Sequence, residues 1–283
     1  MPELPEVETI ARGLRASLPG RRILNVRLGK TDFIEDPAVI ERDVPGMRIS
    51  AIRRHGKFLL LDLQSPAGST GNSSLLIHLG MTGRLVVCDP NAPVPPHTHV
   101  FFTLDDGREL RYTDVRRFGR MRILKTDVLQ DRLGSLGLDP LEISETDFIS
   151  LLKARHAQIK ALLLDQHVLR GIGNIYADES LWRARIHPRR LGASLKPEEL
   201  RRLYRAVRDV LHEAIEARGS SIADYVDSEG NLGGFQRRHR VYQREGKKCF
   251  RCGAPIRRAI VAGRSSHFCP RCQRAPRSRP TNR

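Results

Sequence analysis

The chain has 283 residues, enough for one large domain or two ordinary ones with ample core for each. Its apolar content of 40% marks it as globular, and 49 Lys and Arg against 32 Asp and Glu leave a net charge of +17. A charge of that size points to a polyanionic partner, with nucleic acid ahead of an anionic membrane surface because no basic amphipathic helix with a broad apolar face stands out. No run of about twenty apolar residues exists, so a membrane-spanning helix is excluded, and the acidic start "MPELPEVETI" is not a signal peptide. A cytoplasmic protein with reduced cysteines is therefore expected.

In chain order, the opening stretch combines prolines with three glutamates. The small Pro2 behind Met1 favours trimming of the methionine, which would leave Pro2 as a free N-terminus beside Glu3 and Glu6. On composition alone this is first a helix start, since Pro5 and Glu6 both suit a first turn. Val7, Ile10, Ala11, Leu14 and Leu18 then fall on one helical stripe. Short β-rich runs follow: "RILNVRLG", "RISAIRRHGKFLLLDL", "SSLLIHLGMTGRLVVC", "HVFFTL", "RELRYTDV" and "GRMRILK". Turn signals such as "DDG" at 105–107 separate them, and the spacing predicts a β-sandwich.

Within this β-rich part several residues could carry chemistry. Lys57 sits at the tight turn of "RRHGKF" and reads as solvated charge, phosphate clamp or general acid. Met81 in "HLGMTGR", with Arg116 and Phe118 in "YTDVRRFGR", puts apolar wedges and a guanidinium in glycine-flanked turns. Such a set can enter a base stack and fill the gap left by an extruded nucleotide, although Met and Phe are commonly plain core residues. His97 and His99, in "PPHTHV", have no Cys or carboxylate at ligand spacing, which favours a phosphate-binding or structural role over metal binding. Cys88 stands alone as a small apolar residue.

Composition changes after about residue 130. The sequence divides into a β domain over 1–130, a Gly/Pro linker over 131–144, a helical domain over 145–240, a zinc module over 241–275 and a basic, disordered tail over 276–283. The boundary between two domains is a natural place for a ligand. "GIGNIYADE" at 171–179 feeds a Gly-rich turn into a helix, so its backbone N–H groups and Asn174 could hold phosphate, or Asn174 could simply cap the helix. Leu200, Leu203, Val207, Leu211 and Ala214 share a helical face that ends at Gly219. The Gly/Ser-rich stretch 219–235 reads as a mobile loop. Last come "CFRC" and "CPRC": Cys249, Cys252, Cys269 and Cys272, two C-x2-C pairs sixteen residues apart. This spacing predicts one structural Zn2+ held by four thiolates, with no coordination position open for catalysis.

"PELPEVET" at residue 2, "HLGMTG", "YTDVRRFG", "GIGNIYADE" and the four-cysteine finger, in that order over nearly the whole chain, resemble bacterial formamidopyrimidine-DNA glycosylases. The resemblance implies an α+β protein: a β-sandwich with an N-terminal helix, a helix-two-turns-helix domain and a zinc-finger β-hairpin. It implies a monomeric glycosylase and AP lyase that excises oxidised purines, 8-oxoguanine and formamidopyrimidines, from double-stranded DNA and also acts at abasic sites. By resemblance Pro2 is the nucleophile that forms a Schiff base, Glu3 is the main acid/base, and Glu6 supports the sugar and the amine. Lys57 and Arg264, in "AGRSSHF", serve the β- and δ-eliminations. Met81, Arg116 and Phe118 match the gap-filling trio, with Arg116 facing the orphaned cytosine. His97, Arg155 and Asn174 match backbone contacts, and 219–235 matches a loop that caps the lesion, with Ala223 where relatives carry a basic residue. Two other readings are an endonuclease VIII-type enzyme for oxidised pyrimidines, whose start typically reads Pro-Glu-Gly-Pro where this chain has Leu4, and a non-catalytic zinc-finger DNA-binding protein.

Overall fold

The computed structural model describes residues 1–66, 71–222 and 224–276; Ala223 and all but the first residue of the expected tail lie outside it. Helix α1 (Leu4–Ser17) opens the chain, followed by β1 (Ile23–Leu28), α2 (Pro37–Asp43), β2 (Arg48–His55), β3 (Phe58–Gln64), β4 (Ser73–His78), β5 (Arg84–Cys88), β6 (Thr98–Leu104), β7 (Glu109–Thr113) and β8 (Arg120–Lys125). Then come α3 (Thr126–Gly134), α4 (Glu145–Lys153), α5 (Ile159–Leu164), α6 (Asn174–Arg183), α7 (Pro197–Glu216), β9 (Arg257–Val261) and β10 (Arg264–Phe268). No helix among the described residues is long and apolar enough to cross a membrane.

Two compact units form. The first comprises Met1–Ser135 with Ala214–Gln236, the second Leu136–Glu213 with Arg237–Arg283. In the first, the eight strands make two antiparallel four-stranded sheets, ordered β1-β6-β7-β5 and β2-β3-β4-β8. Alternation decides the register. Leu59, Leu61 and Leu63 of β3 pair with Ile77, Leu75 and Ser73 of β4. On the other sheet Phe102 of β6 faces Leu110 of β7. The inward side chains of both sheets and the α1 stripe Val7, Ile10, Ala11 and Leu14 form one core. Each fully buried Leu or Ile there contributes roughly 1.5–3 kcal/mol of transfer free energy.

The second unit is helical and ends in the β9–β10 hairpin. On α7, Leu200, Leu203, Val207 and Leu211 are all buried, as their spacing requires. The Gly/Pro stretch expected as a linker is structured: α3 occupies Thr126–Gly134, and beyond it the Gly137 amide donates to Gln166 O and buried Asp139 caps Leu141. The stretch expected as a mobile loop is fastened to the sandwich. The Val87 amide donates to Ser228 O, the Gly234 amide to Ala217 O, and Ser220, Tyr225, Asp227 and Ser228 are buried.

Candidate active site and zinc centre

The start of α1 is a reciprocal capping box. Glu3 is the N-cap, its carboxylate accepts from the Glu6 amide, and Glu6 Oε2 accepts from the Glu3 amide at 2.9 Å. Two carboxylates thus satisfy orphan donors at a helix N-terminus. Pro2, Glu3 and Glu6 are all buried. The second oxygen of Glu6, Oε1, accepts from the Ser220 amide at 2.8 Å, and the Tyr225 hydroxyl donates to the Glu6 carbonyl at 3.4 Å. Gly219 makes this approach possible: its φ is +79°, and a Cβ there would lie 2.9 Å from Glu6 Oε1. Burial, followed by the nearby Glu6 charge, pushes the Tyr225 phenol well above its ordinary range, so it remains a neutral donor.

Lys57 follows Gly56 in the β2–β3 turn and is only 9% exposed. Its turn is braced from α1. Glu8 accepts from Arg15 at 2.9 Å and from Arg54 Nε at 2.9 Å, and Arg54 reaches the Gly56 carbonyl at 3.4 Å. Burial pushes the Glu8 carboxyl up, but hydrogen bonds from Arg15 and Arg54 outweigh it and hold the group below its usual range. Beside this turn, burial and then the charges of Lys57 and Arg120 pull His78 down to about 4. His78 opens the "HLGMTG" motif, and that place is the one signal it has in the sequence.

Met81, Arg116 and Phe118 project from two turns and are exposed. The turns are locked together. Gly80 (φ +61°) lies against the Phe118–Gly119 backbone, where a Cβ would come within 2.4 Å. Buried Asp114 accepts from the Thr82 hydroxyl, from Tyr112 Oη at 3.2 Å and from the Gly119 amide at 2.8 Å. Thr82 Oγ1 in turn accepts from the Arg116 amide at 3.1 Å. The Arg116 guanidinium sits 4.4 Å over the Phe118 ring. His97, exposed at φ +65°, joins the same construction because its carbonyl accepts from the Asp114 amide.

In the second unit Asn174 is the first residue of α6, with Gly173 as N-cap. Its side chain does not cap: Nδ2 donates to Ser265 O at 2.9 Å. Asn174, Tyr242, Arg258, Arg264 and His267 line one open cavity of about 570 Å³. Tyr242 and Arg258 were not singled out in the sequence, because neither carries a local motif. Arg155 is half-buried and donates to Leu151 O at 2.6 Å, which closes the end of α4; Asn174 and Arg264 share a cavity that Arg155 does not line. Behind the cavity a fully buried Lys160 pairs with Asp178 at 2.6 Å and donates to Ser265 O at 3.0 Å, and Asp178 accepts from the His267 amide at 2.8 Å.

The Sγ atoms of Cys249, Cys252, Cys269 and Cys272 all lie within 4.8 Å of one another, and none is in a disulfide. A tetrahedral zinc with Zn–S near 2.3 Å sets its sulfurs about 3.8 Å apart. The four cysteines therefore fit one zinc ion, with every coordination position filled by protein. The centre is structural.

A sandwich with an acid-buttressed N-terminus, joined in one basic chain to a helical unit closed by a four-thiolate hairpin, defines a zinc-finger protein built to meet a polyanion. Family models give the class a name. Residues 1–121 match the formamidopyrimidine-DNA glycosylase N-terminal domain, 136–226 the formamidopyrimidine-DNA glycosylase H2TH domain, and 246–275 the zinc finger found in FPG and IleRS. A formamidopyrimidine-DNA glycosylase from Pelotomaculum thermopropionicum is 46% identical over 280 residues, covering 97% of this chain and 99% of that protein. A Lactococcus lactis FPG mutant in complex with Fapy-dG-containing DNA superposes with a TM-score of 0.88 at 34% identity, covering 97% of this chain and all of that one. The L. lactis enzyme with DNA containing an abasic site gives 0.87 at 34%, covering 96% and 100%. The chain belongs to the formamidopyrimidine-DNA glycosylase family.

Proposed function

We propose that the protein is a bifunctional base-excision-repair enzyme. It removes oxidised purines, 8-oxoguanine and formamidopyrimidines, from duplex DNA and then cleaves the strand as an AP lyase. The observation that carries this reading is the buried Pro2 directly preceding a capping box of two buried carboxylates, Glu3 and Glu6. Removal of the exposed Met1 frees the Pro2 nitrogen as a secondary amine. An α-amine titrates near 7.7–8.0, against about 10.4 for lysine, so much more of it is neutral and nucleophilic at pH 7.

The Pro2 nitrogen attacks C1′ of the damaged nucleotide, and the C1′–N9 bond breaks as the base leaves with a proton. Glu3 serves the proton transfers: the nitrogen loses its proton, the C1′–O4′ bond breaks as O4′ takes up a proton, and an iminium ion between C1′ and the Pro2 nitrogen is left on the opened sugar. The iminium acidifies the C2′–H. Removal of that proton expels the 3′ phosphate, and a second elimination expels the 5′ phosphate. Lys57 assists the first elimination and Arg264 the second. Glu6 holds the start of α1 in place. Met81, Arg116 and Phe118 fill the gap left by the extruded purine, with Arg116 donating to the orphaned cytosine. His97, Arg155 and Asn174 take DNA phosphates, and 219–235 covers the lesion. The four cysteines hold the finger that carries Arg264. The reaction belongs in the bacterial cytoplasm, with the chromosome and where thiols stay reduced.

The test is cleavage of duplexes carrying 8-oxoguanine, thymine glycol or no lesion. The purine lesion is cut preferentially, and Pro2→Gly loses base release while still binding DNA. Preference for thymine glycol would support the endonuclease VIII-type alternative. Binding without cleavage of any duplex, with Met1 absent, would leave a bare DNA-binding protein.

A further inference from the structure

The stretch 89–97, between β5 and β6, carries four prolines and is largely exposed, yet it is held at both ends. A tight turn opens it: the Ala92 amide donates to Asp89 O at 3.0 Å and the Asn91 amide to Asp89 Oδ1 at 2.7 Å. The carbonyls of this turn meet Arg111 of β7, which is buried. Its Nε donates to Glu109 at 2.7 Å, its Nη1 to Ala92 O at 2.9 Å and Pro93 O at 3.3 Å, and its Nη2 to Pro90 O at 2.8 Å. All three nitrogens of one guanidinium are in use, and three of the four bonds go to one surface loop. The planar fork of arginine offers donors in that arrangement; an ammonium does not. A buried ion pair is a poor way to stabilise a sheet, because apolar residues of similar volume serve as well or better. What the Arg111–Glu109 pair fixes is the loop. From Pro93 the chain runs through Val94, Pro95 and Pro96 to His97. Proline sets its own φ and restrains the residue before it, so every position from 92 to 96 has little freedom. At the far end Pro95 O accepts from the Thr98 hydroxyl at 2.7 Å, and His97 O accepts from the Asp114 amide at 3.0 Å. The left-handed φ of His97, +65°, is strained for a residue with a side chain and persists because both sides of it are held.

We propose that Arg111 is a positioning residue for DNA binding: its fork anchors 90–93, and the proline strut carries that anchorage to the exposed His97 side chain, which meets a DNA phosphate. Arg111 touches no DNA itself. It acts through five stiff residues on a histidine that the Asp114 amide holds from the other side. The proposal rests on the phosphate role read for His97 above and adds the residue that places it.

The test is a double-mutant cycle on the zinc-loaded full chain, read as the dissociation constant for a duplex with a tetrahydrofuran abasic site, which has no base to lose. His97→Ala should weaken binding about 5-fold, the effect of one lost hydrogen bond. Arg111→Lys keeps a charge beside Glu109 but cannot reach three carbonyls, and should weaken binding by a similar factor. In the His97→Ala background Arg111→Lys should weaken it by less than about twofold, whereas in an Arg264→Ala background it should act as it does in the parent. Equal losses with and without His97 would overturn the proposal and assign Arg111 to the sheet alone. So would an Arg111→Lys protein that binds like the parent while His97→Ala does not. Pro95→Gly is a second variant: it is exposed, leaves the Arg111 bonds in place and frees the strut. It should show the same dependence on His97, and additivity there would overturn the proposal even where Arg111→Lys fails to fold. An inert His97→Ala would remove the phosphate role of His97, and this proposal with it, while base release by Pro2 is scored separately by cleavage.

Discussion

Phe118 is 51% exposed and stacks under the Arg116 guanidinium, so its ring belongs to the surface and not to the core. Phe118→Ala should therefore leave stability within about 0.5 kcal/mol of the parent by urea denaturation. Its excision rate on 8-oxoguanine duplex should nevertheless drop by roughly 5- to 150-fold, the effect of one lost stacking contact of ~1–3 kcal/mol. Asp114 behaves in the opposite way. It touches none of the exposed surface, yet it accepts from Thr82, Tyr112 and the Gly119 amide, and so ties the Met81 turn to the Arg116 turn. Asp114→Ala strands buried donors and should cost on the order of 3 kcal/mol, read as a lower urea midpoint with an unchanged slope. Gly219→Ala forces a side chain into the left-handed region and against Glu6. It should destabilise by roughly 1–3 kcal/mol and lower base release more than DNA affinity, since the Ser220 amide would leave Glu6.

At the scale of elements, α6 is the organiser of the second unit. Its Asp178 pairs with Lys160 inside a site where both side chains are essentially unexposed. Lys160→Met leaves a buried carboxylate whose remaining partners are the His267 amide and ring. A loss of about 3–5 kcal/mol is expected, again from denaturant midpoints, because breaking one half of a buried pair leaves an uncompensated charge. None of this was legible in the sequence. Lys160 and Ser265 are 105 residues apart, and no local pattern marks a contact of that range. The elements themselves were far more legible. Strand alternation located every strand of the sandwich, the stripe Val7, Ile10, Ala11 and Leu14 located α1, and the cysteine spacing located the finger. Helix α3 was hidden because its residues lead into a Gly/Pro stretch that reads as linker. The return of 214–236 to the first unit was hidden for the same reason as Lys160: Ser220 and Glu6 meet across 214 positions. At the candidate site, the motifs made Pro2, Glu3, Lys57 and the wedge trio conspicuous. The braces behind them, Glu8, Asp114 and Tyr225, came only from three-dimensional contacts.

For the molecule as a whole, a net charge of +17 makes DNA affinity strongly salt-dependent. Log affinity should fall linearly with log salt, by about 0.9 for each phosphate neutralised, and Arg264→Ala should flatten the slope by about one phosphate. Acid acts on the fold by a separate route. His78, His187 and His239 are each held down to about 4, first by burial, with Lys57 adding to it at His78 and Arg189 at His187. Above pH 6.5 these rings are neutral in both folded and unfolded chains, and their contribution to stability is complete. As pH falls from about 6.5 to 4 the unfolded chain takes up protons that the folded chain refuses, so stability declines across that window and levels off below it. His78→Gln should shallow the decline, by on the order of 3 kcal/mol at its full extent, in denaturation curves recorded from pH 7.5 to 4.

The central claim is that the N-terminal proline is the nucleophile. Borohydride trapping on duplex DNA with one 8-oxoguanine opposite cytosine, followed by peptide mapping of the adduct, tests it most directly. A covalent link to the Pro2 nitrogen, on a chain lacking Met1, is the predicted result. A link to a lysine, or no adduct from zinc-loaded protein shown to begin at Pro2, would contradict it.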